Sequence, residues 1–91
     1  MGISVGKVIE FLTYLTVENT SVIYGAYTSY AEIYSLFYEA KVSGALEKIG
    51  SNYVYSATGM GDYFELTLMT GRTIRVEHVL NQEKDFTVVF T

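Results

Sequence analysis

The stretch Tyr63-Phe-Glu-Leu-Thr-Leu-Met-Thr-Gly-Arg-Thr-Ile-Arg-Val-Glu-His78 decides how this chain folds. Phe64, Leu66 and Leu68 alternate with Glu65 and Thr67, and Ile74 and Val76 alternate with Arg75 and Glu77. A period of two is strand periodicity, so the stretch is a hairpin, and its loop must keep apolar residues facing apolar ones. A two-residue Gly71-Arg72 loop would set Leu68 opposite Arg75 and Leu66 opposite Glu77, mixing the faces. A three-residue Met69-Thr70-Gly71 loop, with Gly71 left-handed at its end, pairs Leu66 with Ile74 and Phe64 with Val76 instead. The other face then pairs Glu65 with Arg75 and Thr67 with Thr73, a solvated surface.

The same period extends on both sides. Runs at 52–58, 63–69, 73–80 and 86–91 are expected strands, separated by glycine-containing or polar turns. A loop from Asn81 to Asp85 would set Leu80 against Phe86, His78 against Val88 and Val76 against Phe90. Thr87, Val89 and Thr91 would then face outward with the other threonines.

Before Gly50 the period changes to three and four. Ser29 followed by Glu32 is a capping box, which predicts a helix over about 30–49, with Lys48 in its last turn and Gly50 as its stop. Glu32, Leu36, Glu39, Ser43 and Glu47 share the stripe expected to face solvent. The remaining apolar arc is too wide for one surface, and Ala40, Gly44 and Ala45 would let another backbone approach it. An earlier helix is expected over about 4–16, capped by Ser4, with Val5, Val8, Ile9, Leu12 and Leu15 on its apolar side. Residues 17–28 read as a polar turn at Glu18–Ser21, followed by a segment that suits strand or helix. The expected fold is therefore one α+β domain over residues 1–91: two layers, with N-terminal helices on one face of a four-stranded antiparallel meander.

Composition bounds the function. Ten acidic and six basic residues give a net charge of −4 without basic clusters, which argues against nucleic acid as a partner. The absence of cysteine removes disulfides, thiolate nucleophiles and thiolate metal sites. Hydrophobic residues make up 49% of the chain and charged ones only 18%, so part of the apolar surface is expected to be covered by self-association. No apolar run approaches a membrane span, and the N-terminus does not read as a targeting segment, so the expectation is a cytoplasmic protein without a membrane role.

Catalytic, cofactor and metal motifs do not emerge. Gly2 to Val8 lacks the spacing and the Ser/Thr of a phosphate loop, and Gly59-Met-Gly-Asp62 lies between two strands rather than strand and helix. His78 is the only histidine and reads as a histidine at the core's edge, and Glu65 and Glu77 read as ion-pair partners of Arg75. No enzyme activity, cofactor or metal is expected.

What stands out is tyrosine at 24, 27, 30, 34 and 38, at helical steps of three and four. Tyr24, Tyr27, Tyr30, Tyr34 and Tyr38 are the candidate interface, because tyrosine is enriched where binding energy concentrates. The expectation is a small homodimeric adaptor or inhibitor, of the kind encoded by viruses and mobile elements, that contacts another protein through this helix. A small-ligand sensor with a tyrosine-lined pocket is the alternative. The order of a helix followed by a meander over residues 29–90 resembles the second half of roadblock/longin-type modules, which would imply a dimerisation scaffold. The first half lacks the extra hairpin of that pattern.

Overall fold

The computed structural model describes residues 5–80 and 83–91. Its elements are α1 (Val5–Thr16), α2 (Thr20–Ala26), α3 (Tyr30–Ser43), β1 (Lys48–Ile49), β2 (Asn52–Gly59), β3 (Tyr63–Leu68), β4 (Thr73–His78) and β5 (Phe86–Phe90). The strands form one antiparallel sheet in the order β1-β2-β3-β4-β5, with the helices packed on one face. The α+β reading holds, with five strands rather than four.

The central hairpin pairs as its alternation requires. Leu66 faces Ile74, Phe64 faces Val76, Glu65 faces Arg75 and Thr67 faces Thr73. The Leu68 amide bonds the Arg72 carbonyl at 2.8 Å, so the loop is Met69-Thr70-Gly71, and Gly71 is left-handed at φ 94°. The last hairpin keeps its parity but shifts by two residues. His78 faces Phe86, Val76 faces Val88 and Ile74 faces Phe90, whereas the alternation alone sets Leu80 opposite Phe86. The Val79 amide bonds the Asp85 carbonyl at 3.0 Å, so β4 stops at His78 and Leu80 stands 72% exposed in the loop. Asn81 and Gln82 of that loop lie outside the described residues, as does the Ser4 cap.

The expected helix over 30–49 is too long. It ends at Ser43, where Gly44 takes a left-handed conformation at φ 85°, and the chain then turns into β1. Gly44 is thus a cap and not a contact point: a methyl group there would meet open space. Gly50, at φ 62°, closes the short β1–β2 turn rather than the helix. Leu36 is fully buried, although the wheel places it on the solvent side. Two layers need the helix to meet both the sheet and α1, and Leu36 falls in that buried arc. The exposed residues of the helix are Ala31, Ser35, Tyr38, Lys41, Val42 and Ser43, and Ala31, Ser35, Tyr38 and Val42 form the stripe at their centre.

Within residues 17–28 the ambiguous segment is helix over Thr20–Ala26, after a turn at 17–19. Glu18 sits at φ 55°, the Asn19 amide bonds the Tyr14 carbonyl at 3.0 Å, and the Glu18 amide bonds the Leu15 carbonyl at 3.2 Å. This is a Schellman ending without glycine. Asn19 then starts α2, its side-chain oxygen accepting from the Val22 amide at 3.3 Å. At α3 the serine caps as read, while the glutamate reaches back one residue beyond the N-cap amide that a capping box uses. Ser29 Oγ accepts from the Glu32 amide at 3.2 Å, and Glu32 Oε1 accepts from the Thr28 amide at 2.7 Å. Partial burial pushes the Glu32 carboxyl up, but the Lys7 ammonium at 2.9 Å and the Thr28 donors outweigh it, holding it below the usual carboxylate range.

The core centres on Phe64. Its ring stacks on Phe37 at 4.4 Å and meets Tyr34 at 6.0 Å, Phe11 at 6.4 Å and Tyr30 at 6.4 Å. Gly59, across from Phe64, lies directly under side chains of the helix: an added Cβ would lie 2.7 Å from Tyr34 Oη and 2.9 Å from Phe37 Cε2.

Candidate interaction surface

The five tyrosines divide by position. Tyr24 on α2 stacks flat on Phe86, with centroids 4.9 Å apart. Its hydroxyl donates to Thr87 Oγ1 at 3.3 Å and accepts from the Val88 amide at 3.0 Å. Tyr27 ends α2, fully buried, with its ring edge-on to Phe11 at 5.3 Å and its hydroxyl donating to Glu10 at 3.3 Å. Burial first, then the Glu10 charge, raises the Tyr27 phenol well above its ordinary value.

Tyr30 begins α3 and is only 6% exposed. Its amide donates to Asp85 Oδ1 at 2.6 Å, which ties the helix to the β4–β5 loop. Its ring stacks on His78 at 5.1 Å, and its buried hydroxyl has no hydrogen-bond partner among the described residues. Burial, with Tyr34 and Asp62 nearby, raises this phenol too. Tyr34 is half-buried against Phe37 and Phe64. Tyr38 alone projects from the surface, 57% exposed, one turn before Val42, which is 61% exposed.

These contacts make Tyr24, Tyr27 and Tyr30 part of the fold and leave Tyr34 at its margin. Between α3 and β3 the rings of Tyr30, Tyr34, Phe37 and Phe64 pack against one another. His78 sits at the edge of this group, its Nε2 3.6 Å from Asp85 Oδ2. Among the described residues no three His, Asp or Glu side chains converge as metal ligands. Arg75 bridges Glu77 at 2.6 Å and Glu65 at 3.6 Å on the outer face, lying over the Tyr63 ring at 3.8 Å. No described helix is long and apolar enough to cross a membrane.

A second group of exposed rings escaped the helical reading. Tyr53 and Tyr55 on β2 are 55% and 72% exposed, beside a register shift between Val54 and Ser56. That bulge sends both Tyr55 and Ser56 to solvent and breaks the alternation that would have revealed them. The arrangement is that of a small α+β domain with a filled core and aromatic side chains left over on its surface. Compared with known protein families, curated proteins and solved structures, the chain matches none.

Proposed function

We propose that the chain is a non-enzymatic protein-binding module, homodimeric, that engages a second protein through the outer stripe of α3 centred on Tyr38 and Val42. The observation that supports this reading is the composition of that stripe. Ala31, Ser35, Tyr38 and Val42 carry no charge, although all four face solvent, and the exposed charge nearest to them, Lys41, stands at the stripe's flank. A helix that only covers a core bears charged or strongly polar residues on its far side. One that sets a large ring and a β-branched side chain at the centre of its far side has a contact to make there as well. An exposed tyrosine beside a β-branched residue offers a rigid anchor with a hydroxyl at its rim, the pattern of an interface hot spot.

The test is capture from the source cell with wild type, Tyr38→Ala, Val42→Ser and the outer-sheet control Thr87→Ala. A stoichiometric partner held by wild type and by the control, and lost by both α3 variants, is the expected result. A partner retained by Tyr38→Ala and Val42→Ser alike would refute the assignment.

A further inference from the structure

The sheet has two edges, and they are treated differently. On β5 the Val88 amide points away from β4 and is taken by the Tyr24 hydroxyl at 3.0 Å. Tyr24 therefore occupies the edge where another strand would add. On β2 the cover is short. β1 pairs only with Asn52 and Tyr53, and the Val54 amide bonds the Glu47 carbonyl at 3.1 Å. Beyond that point the ladder to β3 runs regularly through Ser56–Thr67, Ala57–Leu66, Thr58–Glu65 and Gly59–Phe64. The Met60 amide bonds the Tyr63 carbonyl at 2.9 Å, so every second residue from there, Thr58 and Ser56, also bonds toward β3. The backbone groups of Ala57 and Gly59 accordingly point outward, with no partner strand among the described residues.

We infer that this edge is the homodimer seam: β2 of one copy pairs antiparallel with β2 of a second copy, about Ala57, into one continuous sheet. Three features fit a second copy better than an unrelated strand. First, Asn52–Gly61 contains no Asp, Glu, Lys or Arg in a chain of net charge −4. Self-pairing therefore brings no like charges together, whereas protected edges normally carry such charges. Second, a dyad at Ala57 sets Ser56 opposite Thr58 of the second copy, and Thr58 opposite its Ser56, two hydrogen-bonding pairs on the outer face. Third, it sets Tyr55 opposite Gly59. The bulge turns Tyr55 to the outer face, out of regular alternation, and the residue facing it has no side chain to mismatch. A dyad of this kind stands perpendicular to the sheet and keeps both helical layers on the same side. The two Tyr38 stripes would then present together, giving the partner a bivalent surface.

The inference rests on the dimeric reading above, and two measurements separate them. Sedimentation at about 100 µM should show a dimer; a monomer would overturn both readings. Hydrogen exchange read by NMR should show the Ala57 and Gly59 amides protected at high protein concentration and released on dilution. A dimer in which those two amides exchange freely at every concentration would leave dimerisation standing and overturn the seam. The variant S56K/T58K places lysine opposite lysine in the dimer. In the monomer the ammonium introduced at position 58 faces Glu65, so the far-UV spectrum should be retained. Its dimer dissociation constant should rise about tenfold or more. Dimerisation as tight as wild type would also overturn the seam.

Discussion

Tyr30→Phe should stabilise this protein, against the usual direction for trimming a buried side chain. The Tyr30 hydroxyl is buried and has no hydrogen-bond partner among the described residues. A buried polar group left unpaired costs about 1–3 kcal/mol, which the fold recovers when the oxygen is removed. What is lost is the dispersion of one atom, about 0.1–0.2 kcal/mol for each contact it made. The ring remains, with its stacking on His78 at 5.1 Å and its contacts to Tyr34 at 5.6 Å and Phe64 at 6.4 Å. The net gain should be about 0.5–2 kcal/mol, or a rise of several degrees in melting temperature for a domain of this size.

Tyr24→Phe is the matched control, because it removes the same atom from the opposite environment. Its hydroxyl bonds both Thr87 Oγ1 and the Val88 amide, so the same change should cost about 1 kcal/mol. Urea unfolding of the three proteins, with unchanged slopes, reads both effects. If Tyr30→Phe instead destabilises by about 1 kcal/mol or more, the hydroxyl has a partner, and the reasoning from an orphaned group is wrong.

Three further outcomes follow from the packing. Gly59→Ala should cost about 1–3 kcal/mol, because the new methyl group meets the buried Phe37 ring, and calorimetry showing no change would contradict the close approach. Gly71→Val should cost about 1–2 kcal/mol through its φ of 94°, with unchanged urea stability as the contrary result. At alkaline pH the raised phenols of Tyr27 and Tyr30 hold their protons in the fold, while the unfolded chain releases them from about pH 10. Their stabilisation is full below that pH and is lost as pH climbs toward the folded values. The slope should be about 1.4 kcal/mol per pH unit for each group, and unfolding midpoints that stay flat between pH 9 and about pH 11 would refute it.

How much of this was legible depends on what each residue had to satisfy. The central hairpin was readable because two alternating runs and one glycine leave a single loop length that keeps Leu66 and Phe64 on the side of Ile74 and Val76. The last hairpin carries the same parity, but parity cannot tell a shift of two residues from none. The end of α3 was hidden because Leu46 and Ile49 continue its apolar spacing. Both are buried, yet they reach the core from the turn and from β1 rather than from the helix. Gly44 could have revealed the stop, since a glycine with Lys41 three residues before it is the usual ending of a helix. Nothing local distinguished Asn19 in a polar turn from Asn19 capping α2. The glutamate at φ 55° that makes both possible has no sequence signature.

The tyrosine stripe shows why a candidate site reads differently from a core. A residue four positions on lies about 40° further round a helix, so a stripe built on that step winds across the surface instead of following one face. Tyr30, Tyr34 and Tyr38 follow that winding, passing from buried through half-buried to exposed. The first has its place because it closes the core beside His78, and the second because Gly59 leaves room for its hydroxyl. Tyr38 has no such duty. Its neighbours on the outward side are Ala31, Ser35, Lys41 and Val42, and at Ser35 and Val42 glutamate or lysine would serve helix propensity and solvation better. The stability of the monomer does not account for a large ring and a β-branched side chain at those positions. The interface proposed above would account for both.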